Sequence, residues 1–284
     1  MPAFATDPAI EPARDAATDA AGGAEHPDRL LGSRGAIFLG ILLALAALAI
    51  FALGRYTDAD LALADALYDR AAGAFPWREA WLTAVFSHRI AKTILTVAAV
   101  LLIAAAVGDA IWPQPVFDRR FARLRLRVIA WSALLVPVVT SLLKQSSDAY
   151  CPWDLARYGG SAPYVRLFEA LPAGVLPGHC LPAGHASSGL WLVALVLLWL
   201  PGPPRRAWRA LALALTPGLA LGWMQQMRGA HFLTHTLWSA WIACAIVLLL
   251  VVLLQAREAR GARRRMLNGD TCRRAQAGIR WRAR

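Results

Sequence analysis

The sequence predicts an all-α, polytopic membrane protein of about six transmembrane helices. Three observations carry that prediction. Hydrophobic residues make up 58% of the 284 positions, apolar residues gather in runs near 20 residues long, and basic residues lie between or beyond those runs. In a helix, about 20 apolar residues cross a hydrocarbon core about 30 Å thick. Lipid offers no partner to backbone N–H and C=O groups, so a crossing segment satisfies its own as a helix.

Residues 1–34 are rich in Ala, Asp, Pro and Gly and show no apolar periodicity, which predicts a disordered cytoplasmic leader. The first apolar run is too long and too late for a signal peptide. Spans are expected at 35–54, 89–112, 128–146, 186–202, 210–226 and 235–256, giving a membrane domain over 35–256 and a basic tail over 257–284. Connection 113–127 holds Arg119, Arg120, Arg123, Arg125 and Arg127, and the turn at 203–209 holds Arg205, Arg206 and Arg209. The positive-inside bias makes these loops and both termini cytoplasmic. Loops 55–88, 147–185 and 227–234 then face the other way, into the periplasm if the bilayer is a bacterial inner membrane. The first of them carries Asp58, Asp60, Asp65 and Asp69 in a pattern that suits an amphipathic helix on the membrane surface.

A net charge of +12 raises the question of nucleic acid. Arginines flanking apolar spans read instead as orientation signals or anionic-lipid contacts, so no nucleic-acid partner is expected. Cys244 lies in an apolar run and Cys272 in the tail, and both are expected unpaired. Cys151 and Cys180 fall on the non-cytoplasmic side, where disulfides persist. Whether they pair depends on an approach of their Cα atoms that spacing does not reveal.

Three stretches on that side carry chemistry. They are Lys144 running on to Cys151-Pro152, then Pro182-Ala183-Gly184-His185, then Arg228 through His235. His179, His185, His231 and His235 are four of the chain's six histidines, and all lie on this face. Ionisable groups near lipid are costly and mark function. Ala183 and Gly184 open the fourth span, where free N–H groups and a helix dipole favour an anion. Lys144 and Arg228 would add charge-assisted hydrogen bonds to phosphate oxygens. His231 and His185 supply a nucleophile for phosphorus and an acid for the leaving oxygen.

These stretches resemble the three signature motifs of the type 2 phosphatidic acid phosphatase (PAP2) superfamily, Lys-x6-Arg-Pro, Pro-Ser-Gly-His and Ser-Arg-x5-His-x3-Asp. The resemblance covers roughly residues 85–245. It implies a membrane lipid phosphatase that needs no cofactor or metal, with His231 as nucleophile, His185 as general acid and Lys144 as a phosphate ligand. The departures are specific. Cys151 and Gln225 stand at the two arginine positions, Met224 and Ala183 at the two serines, and His235 at the aspartate. Arg228, Arg157 and Arg166 are the candidates to replace the lost charge. His235 would accept the Nδ1–H of His231 without supplying a negative charge, unless Asp148 or Asp154 folds back to help.

Rival readings stay open at this level. His231 and His235, one turn apart, suit two zinc ligands, with His179, His185, Cys151 and Cys180 available to complete a shell. A non-catalytic lipid binder and a lipid phosphotransferase fit the same residues. The expected partners are the bilayer and a phosphorylated membrane lipid of unspecified head group. The sequence carries no signal for oligomeric state.

Overall fold

The computed structural model describes residues 29–282, with side chains described through Gly261. The expected leader lies almost wholly outside these residues, as do the side chains of most of the basic tail. Among the described residues the chain is helical, with two isolated β-bridges and no strand. Helix α1 spans Ser33–Tyr56 and α2 spans Ala59–Leu67. A π-helical segment, Trp81–Ala91, runs directly into α3, Lys92–Ile111. Next come α4 (Ala122–Gln145), α5 (Gly184–Leu190) continuing as a 3-10 helix over Trp191–Trp199, α6 (Pro204–Met227) and α7 (Leu233–Arg282).

Six of these runs match the six expected spans in position, and α2 falls in the first long loop, where a surface helix was expected. Four of the six are long and apolar enough to qualify as spans by length and composition, while Gly184–Trp199 is shorter. The 3-10 stretch compensates for its brevity. At about 2.0 Å per residue against 1.5 Å in an α-helix, the whole run reaches about 28 Å.

Two boundaries differ from expectation. The second span begins at Trp81, because residues 81–88, expected as loop, continue the helix ahead of Arg89. Arg205, Arg206 and Arg209, expected in a turn, form the start of α6 behind Pro204, whose missing N–H costs nothing in a first turn.

Helix α5 lies at the centre. Ala186, Leu190, Val193 and Ala194 pack with Ile129, Ala133 and Val136 of α4 and Ala243 and Val247 of α7. Gly189 and Gly218 let α5 and α6 touch backbone to backbone, since a Cβ on Gly189 would lie 2.9 Å from the Gly218 Cα. By contrast, the apolar window of α1 is 0% buried, as befits a lipid-facing helix. It is tied to α7 where the Trp241 indole N–H donates to the Leu43 carbonyl at 2.8 Å.

One face of the bundle, called here the site face, carries α2 and the loops 147–183 and 228–232. Over it sits a cap in which Ala64, Phe75, Leu155, Tyr158 and Phe232 form their own apolar cluster. Ion pairs hold the cap to the loops: Arg157 Nε lies 2.8 Å from Asp65, Arg166 2.6 Å from Asp58, and Arg55 3.1 Å from Glu169. At the opposite face Arg123 pairs with buried Asp109, and Arg125 donates to the Leu197 and Leu200 carbonyls that end the short span.

Candidate active site

The three sequence stretches converge at the site face, and covalent and backbone bonds hold them together. Cys151 and Cys180 form a disulfide with Cα atoms 5.4 Å apart, joining the first stretch to the approach of the second. The Trp153 N–H donates to the Gly229 carbonyl at 2.9 Å, joining the first to the third. The Ala183 N–H donates to the His235 carbonyl at 3.1 Å, and the Ser239 hydroxyl returns a bond to the Ala183 carbonyl at 3.1 Å. That last pair corrects one expectation. Ala183 ties the second stretch to the third with the N–H it was expected to offer to phosphate.

Gly229 sets the turn before the third stretch. Its φ of +72° is a conformation that L side chains rarely adopt, and a Cβ there would strike the Phe75 ring at 2.4 Å. Asp60 of α2 then caps α7 from outside, accepting from the Thr234 N–H at 2.9 Å and from its hydroxyl. Burial pushes the Asp60 carboxyl above the ordinary carboxylate range, and the two Thr234 bonds oppose that rise.

His231 and His235 are each 3% exposed. Four residues apart, they stack on one side of the α7 start with their Nδ1 atoms 3.5 Å from each other. The disulfide sulfur of Cys180 lies 3.4 Å from the same Nδ1 of His231. Both contacts fall on Nδ1 of His231, and the Cys180 backbone also meets both imidazoles. Burial is the main force holding His231 well below the usual imidazole range, with the charges of His235, Lys144 and His185 acting the same way. No carboxylate is among the groups that act on His231 or His235, so neither Asp148 nor Asp154 folds back to them.

His185, the second residue of α5, has a buried Nε2 with no hydrogen-bond partner. Beside it, a Cβ added to Gly184 would meet nothing within 4 Å, so the space over this helix start is open. The His185 ring stacks at 4.2 Å between centroids on His88, from the end of the second span. The charges of His88, Lys92, Lys144 and Arg228 all reach His185. His88 and Lys92 were not singled out by sequence reasoning. Their only local signal was a histidine and a lysine four apart at the end of an apolar run.

Arg228 does sit at this site, its Nε donating to the Arg78 carbonyl at 2.9 Å and a terminal nitrogen to Gln225 Oε1 at 3.3 Å. Burial pushes its guanidinium below the usual arginine range. Gln225, at a lost arginine position, is 1% exposed and leaves its Nε2 unpartnered. Arg157 and Arg166, the other candidates for the lost charge, are instead committed to Asp65 and Asp58 in the cap.

As for a metal, Cys151, Cys180 and His231 bring three ligand atoms within 4.8 Å of one another, the one such group among the described residues. Both sulfurs are consumed in the disulfide and offer no thiolate, so this donor set does not suit zinc. A cavity of about 560 Å³ is lined by Leu143, Asp148, Phe168, Pro182, Trp238 and Trp241 among others, and of the second stretch only Pro182 lines it.

Comparison with known proteins agrees with the motifs. The family model of the PAP2 superfamily matches residues 125–259, a segment that contains all three stretches. No curated protein and no solved structure matches the chain. The PAP2 resemblance is thereby borne out, and the family that this segment resembles is of phosphatase type.

Proposed function

With a PAP2 phosphatase segment as premise, we propose that this membrane protein hydrolyses a phosphomonoester or diphosphate on a lipid, through a phosphohistidine formed on His231. One observation carries the reading: His231 and His235 lie 3.5 Å apart, His185 rests on His88 at 4.2 Å, and cations but no carboxylate act on these histidines. Such a cluster is unfavourable by itself and becomes favourable when a phosphate dianion enters it.

His231 Nε2 attacks phosphorus, while its Nδ1–H is directed at the Nδ1 of His235. Protonated His185 gives its proton to the departing lipid oxygen as the P–O bond breaks. The bound phosphate's own charge is what makes that imidazolium tolerable among its neighbours. Water then loses a proton to His185 and attacks the phosphohistidine, releasing inorganic phosphate and restoring His231. Lys144 and Arg228 hold the non-bridging oxygens, where charge accumulates.

His235 in place of aspartate leaves the cationic intermediate without a counter-charge. His235→Asp is therefore expected to preserve or raise turnover, and an inactive but folded variant would count against these roles. The lipid nature of the substrate is supported by the position of Lys144 in the last turn of α4 and His185 in the first turn of α5, at the ends of apolar helices. The distribution of arginines supports a site on the non-cytoplasmic face, which is the periplasm if the bilayer is a bacterial inner membrane.

The test incubates the purified protein, in lipid, with a panel of phosphorylated lipids. Free phosphate and lipid products are measured with and without chelator, for wild type and His231→Ala. Phosphate release that survives chelation and vanishes in His231→Ala is the expected result. Transfer to a second lipid would identify a phosphotransferase, and rescue by zinc would overturn the histidine mechanism.

A further inference from the structure

We propose that His88 and Lys92, from the second span, are phosphate-binding residues that replace the charge lost at Cys151 and Gln225. The inference rests on the phosphatase reading above and assigns two ligands that neither the motifs nor the family match contains, since the match begins at residue 125.

Trp81–Ala91 is π-helical and joins α3 at Lys92 without a break. Inserted π-turns occur often at functional sites, because the wider turn re-aims side chains that an α-helix would point elsewhere. His88 and Lys92, four residues apart, fall about one turn from each other on this rod. Its continuation packs on both α4, which carries Lys144, and α5, which carries His185. The His88 ring lies 4.2 Å from that of His185. The space over Gly184 is open, and the buried Nε2 of the adjoining His185 still lacks a partner.

Neither side chain is committed elsewhere. Among the described residues Lys92 makes no ion pair, in contrast to the arginines of the cap. A lysine at a span end commonly snorkels to the interface, which calls for no partner at all. That bland role does not account for His88, whose half-buried ring rests against His185. Nor does it account for the field of both residues falling on His185. A phosphate in this space would receive Lys144 from one side and Lys92 with His88 from the other. Three non-bridging oxygens would then each find a donor, as the missing arginines would have arranged.

The experiment uses the full chain in lipid and orthovanadate as the phosphate mimic. Lys92→Met and His88→Gln are each expected to raise the vanadate inhibition constant and the KM for the lipid roughly tenfold or more, the worth of one charge-assisted bond. The kcat should change less, and Lys92→Arg should largely restore binding. A second measurement needs no variant: acylation of Lys92 and carbethoxylation of His88 in the wild type, followed by mass spectrometry, should slow several-fold with vanadate present. Unchanged inhibition constants in folded variants, or unchanged labelling with vanadate, would overturn the proposal. Failure of the parent reading looks different. In that case no lipid yields phosphate, while vanadate protection of the two residues still reports the anion site.

Discussion

In the cap, Arg157 meets Asp65, Arg166 meets Asp58 and Arg55 meets Glu169, each at salt-bridge distance. At the span ends beneath it, Lys92, Lys144, His88, His185 and Arg228 act on one another with almost no acid in reach, Glu79 beside Arg228 being the exception. The two regions use similar side chains to opposite ends. Exposed pairs such as those of the cap contribute little to stability and chiefly fix which loop lies on which. An uncompensated cluster costs stability in the resting protein and is worth keeping where an anionic ligand supplies the missing charge. What distinguishes the candidate site from the cap is therefore the absence of counter-ions, more than the number of cations.

The contrast is broken most severely at His231. Its replacement by Ala should lower phosphate release roughly 10⁴-fold or more, the scale seen when a nucleophile is removed. Arg157→Ala in the cap should leave the same assay within about twofold. Opening the Cys151–Cys180 disulfide comes next. A bridge closing a loop of this kind contributes about 3 kcal/mol, so reductant should lower the denaturation midpoint. It should also reduce turnover, since the bridge ties Pro152 to the approach of His185. Unaltered turnover in fully reduced, folded protein would show that the backbone bonds suffice.

Protonation gives a third, smaller effect. Because burial holds His231 below the ordinary imidazole value, the unfolded chain takes up this proton before the native one does. The contribution of this group to stability is therefore present above a pH of about 6.5 and is lost as pH falls below it. Thermal midpoints measured from pH 7.5 to 5.5 should decline less steeply in His231→Asn than in wild type. Smallest of all should be the coupling between Arg157 and Asp65. A double-mutant cycle on thermal stability should find it barely distinguishable from zero and reduced further by salt.

Much of this architecture was legible in the sequence. The apolar runs located six crossings because hydropathy over some 20 residues is a property of the segment itself. Lys144, His185 and His231 were legible because each sits in a short motif. His88 and Lys92 were not, since nothing near them in the chain resembles a motif and only packing of α3 on α4 and α5 brings them to His185. The fates of Arg157 and Arg166 were hidden for the same reason. Their partners Asp65 and Asp58 lie some 90 to 110 positions away. Ala183 misled because a helix start was assumed to leave its N–H groups free, whereas the His235 carbonyl takes this one.

The 3-10 stretch that lets sixteen residues cross the bilayer also aligns its side chains. At three residues per turn, positions three apart eclipse, so Trp191, Ala194 and Leu197 form a single straight ridge, and all three are buried. Leu198 and Trp199, off that ridge, are exposed. An extra residue inserted after Leu192 would swing the lower part of the ridge by about 120°. It would aim Ala194 and Leu197 at lipid while leaving the helical turn that carries His185 intact. The membrane crossing and the histidine it delivers are thus separable by one amino acid, and the register of this ridge keeps them joined.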